Sequence, residues 1–370
     1  MGVASRPRRP AAPGLLVLRT ETGLVRRFAL VFSPRVVPRP RRTPVVQAMP
    51  GGRLRPDDQR LSGVSLKSRV FPFDIPVTET NSEPWSIKRV LAWATDDFKR
   101  RGNKSARLDA ELLLGEALGF TRIQLIVEAE RPLLDDELAR YRGLIKRRRV
   151  GEPIAYILGQ REFFALPMRV DRRVLIPRPD TEILVETALG GTRERHLYGR
   201  MLDLCTGSGC VAIAFAKERP TWRVTAVDLS PDAAAVAREN ARRAGVVQNL
   251  SVREGDLFEA LPPGAEFELI TANPPYIPSA DIEGLDADVR DFEPRLALDG
   301  GADGLVITRR LVSAAMAYLT PGGLLALEGG FDQAARVAAL LETHGFEHIA
   351  RSKDLAGIER VVSGRKPASG

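Results

Sequence analysis

The stretch Phe267-Glu268-Leu269-Ile270-Thr271-Ala272-Asn273-Pro274-Pro275-Tyr276-Ile277 decides how the chain is read. Its mostly apolar start reads as a buried strand. That strand delivers a polar Asn and a stiff Pro-Pro pair to its carboxyl end, and in open α/β sheets ligands bind at that end. Two prolines fix φ and remove two backbone donors, which leaves the local carbonyls free to face a ligand. The Asn273 amide oxygen and a neighbouring carbonyl can together accept both hydrogens of a planar NH₂ group. Tyr276, next in line, offers a ring to stack on that group. Alone, the same residues also make an ordinary proline-rich turn with a capping Asn, so their neighbours decide.

Working outward, strands read at 201–204, 222–227, 250–253, 267–271 and 324–327, and helices at 210–217, 231–244, 305–319 and 331–344. Alternation of this kind means a parallel sheet wrapped by helices. Two last strands, around 348–352 and 360–363, are expected to form an antiparallel edge.

Asp203-Leu204-Cys205-Thr206-Gly207-Ser208-Gly209 leaves the first of these strands and enters a helix; with Ala212 it reads G-x-G-x-x-A. Glycines there permit a tight turn and close backbone approach to a ligand. Asp228 ends the second strand, where an acid can accept both ribose hydroxyls of an adenosine. Asp256 and Leu257 follow the third strand, and Asp256 is placed to meet an adenine amino group. Two cofactors compete. NAD would set a pyrophosphate on the helix N-terminus. S-adenosylmethionine has no phosphate but carries an amino group that wants a carboxylate, which Asp203 could supply or orient. Acids at three successive strand ends favour S-adenosylmethionine. Cys205 and Cys210 flank the turn without two further ligands, and read as small apolar residues rather than a metal site. Two cysteines and three histidines in all fit neither a disulfide framework nor a dedicated zinc cluster, and suit a reducing, cytoplasmic setting.

The region before the sheet has a different texture. Ile87, Val90, Leu91, Ala94 and Phe98 recur at helical spacing. Ser105 is positioned to cap a second helix, with Leu108, Leu112 and Leu113 along one face. Two more helices follow, the last closed by Lys146-Arg147-Arg148-Arg149, which reads as a solvated helix end. A connector over 151–182 reads as a β-hairpin turning at Asp171-Arg172-Arg173, with Asp180 set to cap the next helix. Residues 1–84 are rich in Arg and Pro and leave little to bury. They admit three readings: disorder, organellar targeting, or a true start further in, at Met49 or Val77. The chain carries +8 overall and the first 84 residues carry +9, which leaves −1 for the rest. A polyanion-binding surface would therefore rest on the extension alone.

The combination of motifs resembles the HemK/PrmC family of release factor glutamine methyltransferases. The resemblance runs through Ser105-Ala106-Arg107-Leu108-Asp109-Ala110-Glu111-Leu112-Leu113, Gly151-Glu152-Pro153-Ile154-Ala155-Tyr156, Arg161-Glu162-Phe163 and Ile176-Pro177-Arg178-Pro179-Asp180-Thr181-Glu182. It continues in the Asn273 stretch, in Glu293-Pro294-Arg295-Leu296-Ala297-Leu298 and in Gly357-Ile358-Glu359-Arg360-Val361-Val362. It covers about 85–366. One position departs: Cys205 stands where the family pattern leads one to expect Gly.

The resemblance implies an α/β fold: a class I methyltransferase, Rossmann-like sheet (183–366) joined through the 151–182 hairpin to a small N-terminal helical domain (85–150) that recognises the substrate. The implied reaction is N5-methylation of the glutamine in the Gly-Gly-Gln motif of peptide chain release factors. Asn273, Pro274, Pro275 and Tyr276 would hold the amide, with Phe163 and Pro179 walling the pocket from the hairpin side, though core packing accounts for Phe163 equally well. Asp203, Cys205, Thr206, Gly207, Ser208, Gly209, Asp228, Asp256, Leu257 and Asn273 would hold S-adenosylmethionine. Glu268 is expected to face solvent. The implied partner is a release factor, with no direct nucleic-acid contact, no membrane, and a monomeric enzyme. Rivals are glutamine methylation of a ribosomal protein, adenine-N6 methylation of nucleic acid, and a non-catalytic module that holds RNA through its basic tail.

Overall fold

The computed structural model describes residues 84–195 and 197–368. The readings of the basic extension lie outside the described residues.

Helix α1 (Ile87–Arg100) starts at Ser86, whose side chain accepts from the Arg89 N–H, and it buries the five apolar residues its spacing predicts. Helix α2 (Ala106–Leu118) begins after Ser105, but that hydroxyl donates to Asp109 at 2.8 Å instead of capping the backbone. Its buried face is also turned from the expected one. Ala106, Ala110, Leu113, Leu114 and Ala117 are inside, whereas Leu108 is 42% exposed. Positions 106, 110, 113, 114 and 117 form one stripe at helical spacing, and Leu108 lies off it. Helices α3 (Arg122–Val127) and α4 (Asp135–Arg149) complete the cluster, with Leu125, Leu138 and Tyr141 buried.

The basic run ending α4 differs from its expected solvated state. Arg148 pairs with Asp109 at 2.8 Å, Arg149 with Asp97 at 2.8 Å and Arg147 with Glu152 at 2.7 Å. The run thus ties α4 to α2, to α1 and to the start of the connector. The connector itself opens with a short helix α5 (Ile154–Leu158), which periodicity did not reveal.

The hairpin exists, but not where the sequence placed it. Strands β1 (Gln160–Phe163) and β2 (Leu166–Arg169) pair antiparallel and turn at Phe164 and Ala165, with φ of 51° and 58°. A two-residue turn of this hand needs positive φ at both positions, usually marked by Asn or Gly. Phe-Ala carries no such mark. Asp171-Arg172-Arg173 is instead a bend after β2, where Asp171 accepts from the Arg173 N–H and guanidinium.

Helix α6 (Glu182–Gly191) leads into the sheet, followed by β3 (Arg200–Leu204), α7 (Cys210–Glu218), β4 (Arg223–Asp228), α8 (Pro231–Ala244), β5 (Leu250–Glu254) and β6 (Phe267–Ala272). After a short α9 (Ala287–Arg290) come α10 (Val306–Tyr318), β7 (Leu319–Glu328), α11 (Ala334–Thr343), β8 (Glu347–Lys353) and β9 (Glu359–Arg365). The strand order is β5-β4-β3-β6-β7-β9-β8. Strands β5 to β7 are parallel, and β9 and β8 form the antiparallel edge expected from the sequence. The order reverses between β3 and β6, and a crevice opens at the carboxyl ends there.

Alternation along the strands divides the core. Met201, Val224, Leu269, Leu324 and Ala326 pack with α6, α7 and α8. Leu202, Leu204, Ile270, Ala272, Leu325 and Leu327 pack with α10 and α11. The same alternation carries Asp203, Thr271 and Glu328 onto the first face at the carboxyl edge, and all three are buried. Among the described residues, no helix is long and apolar enough to cross a membrane.

Candidate active site

A cleft of about 1220 Å³, counting its open mouth, lies over the carboxyl ends of β3, β4, β5 and β6. The turn after β3 forms its floor. Cys205 and Gly207 both take positive φ, 55° and 56°. The turn is tied to the neighbouring strand: Thr206 N–H donates to the Val227 carbonyl, and Gly207 N–H to Asp228 Oδ2 at 2.7 Å. Asp228 Oδ1 accepts the Ser230 N–H at 2.9 Å. Each Asp228 oxygen therefore keeps lone-pair capacity beyond its one backbone partner. Burial raises the Asp228 carboxyl, and those two N–H bonds oppose the rise.

Asp203 is 2% exposed. Its Oδ2 accepts from the Thr206 hydroxyl at 2.6 Å and its Oδ1 from the Thr271 hydroxyl at 2.7 Å. Burial pushes this carboxyl up to about 6 against those two bonds. It joins the turn after β3 to β6, the orienting half of what the sequence suggested. Asp256, at the far wall, accepts from Arg310 of α10 at 2.8 Å. Sequence reasoning missed this guanidinium, which lines the same cleft. Cys205, Thr206, Gly207, Ser208, Leu257, Asn273 and Pro275 also line it. Gly209 does not. A Cβ there would crowd Ala237 and Ile213, so this glycine serves helix packing. Burial drives both thiols upward, Cys210 to about 12 and Cys205 further, so both stay protonated at neutral pH.

A second, smaller cavity adjoins the first, lined by Leu175, Arg178, Asn273, Tyr276, Ile277, Val289, Ala297 and Leu298. Asn273 borders both cavities, as do Leu175, Arg178 and Ala297. Arg178 is held by buried Glu293 at 2.6 Å, and Glu293 also accepts the Ile176 N–H. Pro274 is buried and borders neither cavity. The Tyr276 phenol is pushed up to about 12 by burial. The loop that carries these residues is clamped from behind. Gln333 Nε2 donates to the Tyr276 carbonyl at 2.9 Å. A Cβ at Gly300 would come within 2.7 Å of the Pro275 carbonyl oxygen, and one at Gly304 would overlap that of Tyr276. Only glycine permits this approach, and the Gly300-Gly301-Ala302-Asp303-Gly304 run was the available signal for it.

Three expectations need correction, for Pro179, Asp180 and Glu268, and the two readings of Phe163 are decided in favour of core packing. Phe163 is 1% exposed and belongs to the core under α6, so it walls no cavity; Pro179 borders neither cavity, and Pro177, Arg178 and Thr181 of the same segment line the cleft instead. Asp180 makes no helix cap. It sits in a short 3₁₀ turn and pairs with Arg360 of β9 at 3.0 Å. Glu268 does not simply face solvent: it accepts the Arg200 N–H at 2.6 Å, at the opposite end of the sheet.

The sequence also missed Glu328. It ends β7 beside Asn273, since Ala272 and Leu327 are in register one residue earlier. It is 3% exposed, and its Oε2 has no hydrogen-bond partner among the described residues. Burial pushes it up to about 7; the Thr181 and Asn273 side chains and the charge of Arg360 oppose the rise, and Asp180 adds to it. An acid closing an otherwise apolar run, Leu324 to Leu327, was its only sequence signal.

Comparison with known proteins places the chain in a family. The family model of the PrmC N-terminal domain matches residues 89–159, and that of a methyltransferase domain matches residues 201–291. The release factor glutamine methyltransferase of Geobacter sulfurreducens is 47% identical over 283 residues, covering 76% of this chain and 98% of that protein. That of Burkholderia pseudomallei is 47% identical over 264 residues, 70% and 92% of the two chains. That of Rhodopirellula baltica is 40% identical over 292 residues, 78% and 98%.

Proposed function

The chain belongs to the release factor glutamine methyltransferase family, and on that premise we propose that it methylates N5 of the glutamine in the Gly-Gly-Gln motif of peptide chain release factors. The observation that carries this reading is the position of Asn273, which borders both the large cleft and the smaller cavity beside it. One cavity suits the methyl donor and the other a glutamine side chain, and the reacting nitrogen belongs where they meet.

The cleft fits S-adenosylmethionine. Gly207 lines it, and a Cβ there would meet nothing within 4 Å, so the turn leaves room for a ligand. Asp228 has acceptor capacity for ribose hydroxyls. Asp256 and Leu257 would border the adenine, and Asp203 with Thr206 and Ser208 would hold the turn against the methionine end. When bound, the cofactor supplies an electrophilic methyl on a sulfonium that is already a good leaving group.

What remains for the protein is alignment. An amide nitrogen is a poor nucleophile because its lone pair is delocalised into the carbonyl. Asn273 Oδ1 and the Pro274 carbonyl would accept the two N–H bonds, which orients the nitrogen and favours pyramidalisation. Pro274 is buried and borders neither cavity, so the contact asked of its carbonyl requires the loop to shift as the glutamine enters. Pro275 stiffens the loop, and Tyr276 packs on the amide plane. Arg178, fixed by Glu293, borders the smaller cavity and would face the glutamine carbonyl. The helical region at 85–150 would dock the body of the factor.

The test is methyl transfer from labelled S-adenosylmethionine, catalysed by the full chain, to purified release factor and to a factor whose Gly-Gly-Gln glutamine is changed to alanine. Label on the first and none on the second is the expected result. Label on neither, with cofactor bound, would refute the proposal and turn attention to ribosomal protein and then to adenine.

A further inference from the structure

Asn273 can serve the proposed reaction only if its amide points the right way round. The oxygen and nitrogen of a carboxamide differ little in size, so hydrogen-bond partners decide which faces the cavity. Here the NH₂ side is occupied: Asn273 Nδ2 donates to Thr181 Oγ1 at 3.3 Å. Glu328 stands beside Asn273, one residue beyond the paired Ala272 and Leu327, and the Thr181 and Asn273 side chains favour its charged form against burial. A hydroxyl alone would not settle the direction, because it can donate as readily as accept. A carboxylate can, because in its ionised form it only accepts.

We infer that Glu328 is a positioning residue, whose carboxylate behind Asn273 draws the NH₂ of that amide inward and so turns Asn273 Oδ1 to the cavities. This rests on the proposed reaction and adds to it a residue that borders neither cavity. Three features support the assignment. The parallel register of β6 and β7 puts the two residues side by side by backbone alone. The site is built at a cost to stability, since a buried carboxyl oxygen is left without a partner. No Lys or Arg among the described residues forms an ion pair with Glu328; Arg360, the nearby cation, is engaged by Asp180 at 3.0 Å and Asp354 at 2.9 Å. The carboxylate is thus free to act on the amide.

Ionisation matters for direction. A protonated Glu328 can donate to Asn273 Oδ1 and hold the amide the wrong way round. The groups that face it are Asp180 before α6, Arg360 of β9, Asn273 and the Tyr276 phenol after β6, and the Cys210 thiol at the start of α7. Neither the phenol nor the thiol ionises near neutrality, and Asp203, pushed up to about 6, sits on the cofactor side, so the part of the acid limb that Glu328→Gln removes is the part that belongs to Glu328. That part lies at about 7: activity is present above it and lost as pH falls through it.

The experiment compares wild type and Glu328→Gln for kcat, factor KM, cofactor Kd and the pH profile of kcat. Gln keeps the shape but can donate or accept, so it no longer fixes the amide. The expected result is a kcat lower by about 10- to 100-fold, with KM and Kd changed by less than about threefold. That part of the acid limb of the wild-type profile should vanish in the variant. A Glu328→Gln enzyme with wild-type kcat and the same limb overturns the inference, and so does equal loss of cofactor binding, which means general support of the fold. A wild-type profile flat between about pH 6 and about pH 8 overturns it without any variant. Absence of transfer by the wild type on release factor would instead sink the proposed function.

Discussion

Asp203 and Glu328 are two buried acids on the same face of one sheet, on the strands either side of β6, yet their situations are opposite. Asp203 gives one oxygen to each of two hydroxyls and locks the turn after β3 to the middle of the sheet. Glu328 keeps one oxygen bare and leans on Asn273 and Thr181. The cofactor half of the cleft is thus held by groups that satisfy one another. The amide half holds a group whose desolvation is only partly compensated. An unsatisfied buried polar group costs about 1–3 kcal/mol, and such costs persist mainly where a chemical task requires them.

The largest effect should come from removing the residue at the junction. Asn273→Ala should lower kcat by at least ~100-fold, as loss of an aligned hydrogen-bonding group does elsewhere. Cofactor Kd should stay within about threefold, because the cofactor half stands without it. Single-turnover transfer and calorimetric binding together check this; equal loss of both would merge the two halves and break the comparison.

The second effect is on stability. Folding raises the Glu328 carboxyl from 4.5 to about 7, so the folded state binds the proton more tightly than the unfolded one. Stability from this group is therefore fullest below 4.5 and declines as pH rises towards 7, by at most about 1.4 kcal/mol per pH unit. Asp203 has the same sign over a lower window, from 3.8 to about 6. Glu328→Gln should flatten the upper part of that slope and leave the lower part. Urea unfolding at several pH values measures it, and an unchanged slope above pH 6 would show that Glu328 is compensated after all.

The smallest effect sharpens the cofactor side. Cys205 occupies positive φ, where a side chain is strained, and glycine is the residue suited to it. Cys205→Gly should raise stability by up to about 1 kcal/mol, the relief being partly offset by the freer unfolded chain. A drop in the denaturation midpoint would mean that thiol packing against the core outweighs the backbone strain.

Much of this was legible beforehand. The α/β alternation, the antiparallel edge, the glycine turn and the stretch at Asn273 all follow from local patterns, because burial imposes periodicity on sequence. The hairpin turn was misplaced because Phe164 and Ala165 carry none of the residues that normally signal positive φ. The basic end of α4 was read as solvated because its carboxylate partners, Asp97 and Asp109, lie on other helices. Arg310 and Gln333 reach the site from α10 and the turn before α11, and nothing local distinguishes them from surface polar residues.

The sequence by itself determined the sheet, the family resemblance and the residue types at the strand ends, since these depend on spacing along the chain. Only the tertiary structure decided how those residues are used. It put Glu328 beside Asn273, closed both oxygens of Asp203, turned Gly209 to packing and moved Phe163 into the core. The physical reason is that hydrogen-bond satisfaction and desolvation depend on neighbours across strands and helices, and one-dimensional spacing does not name them.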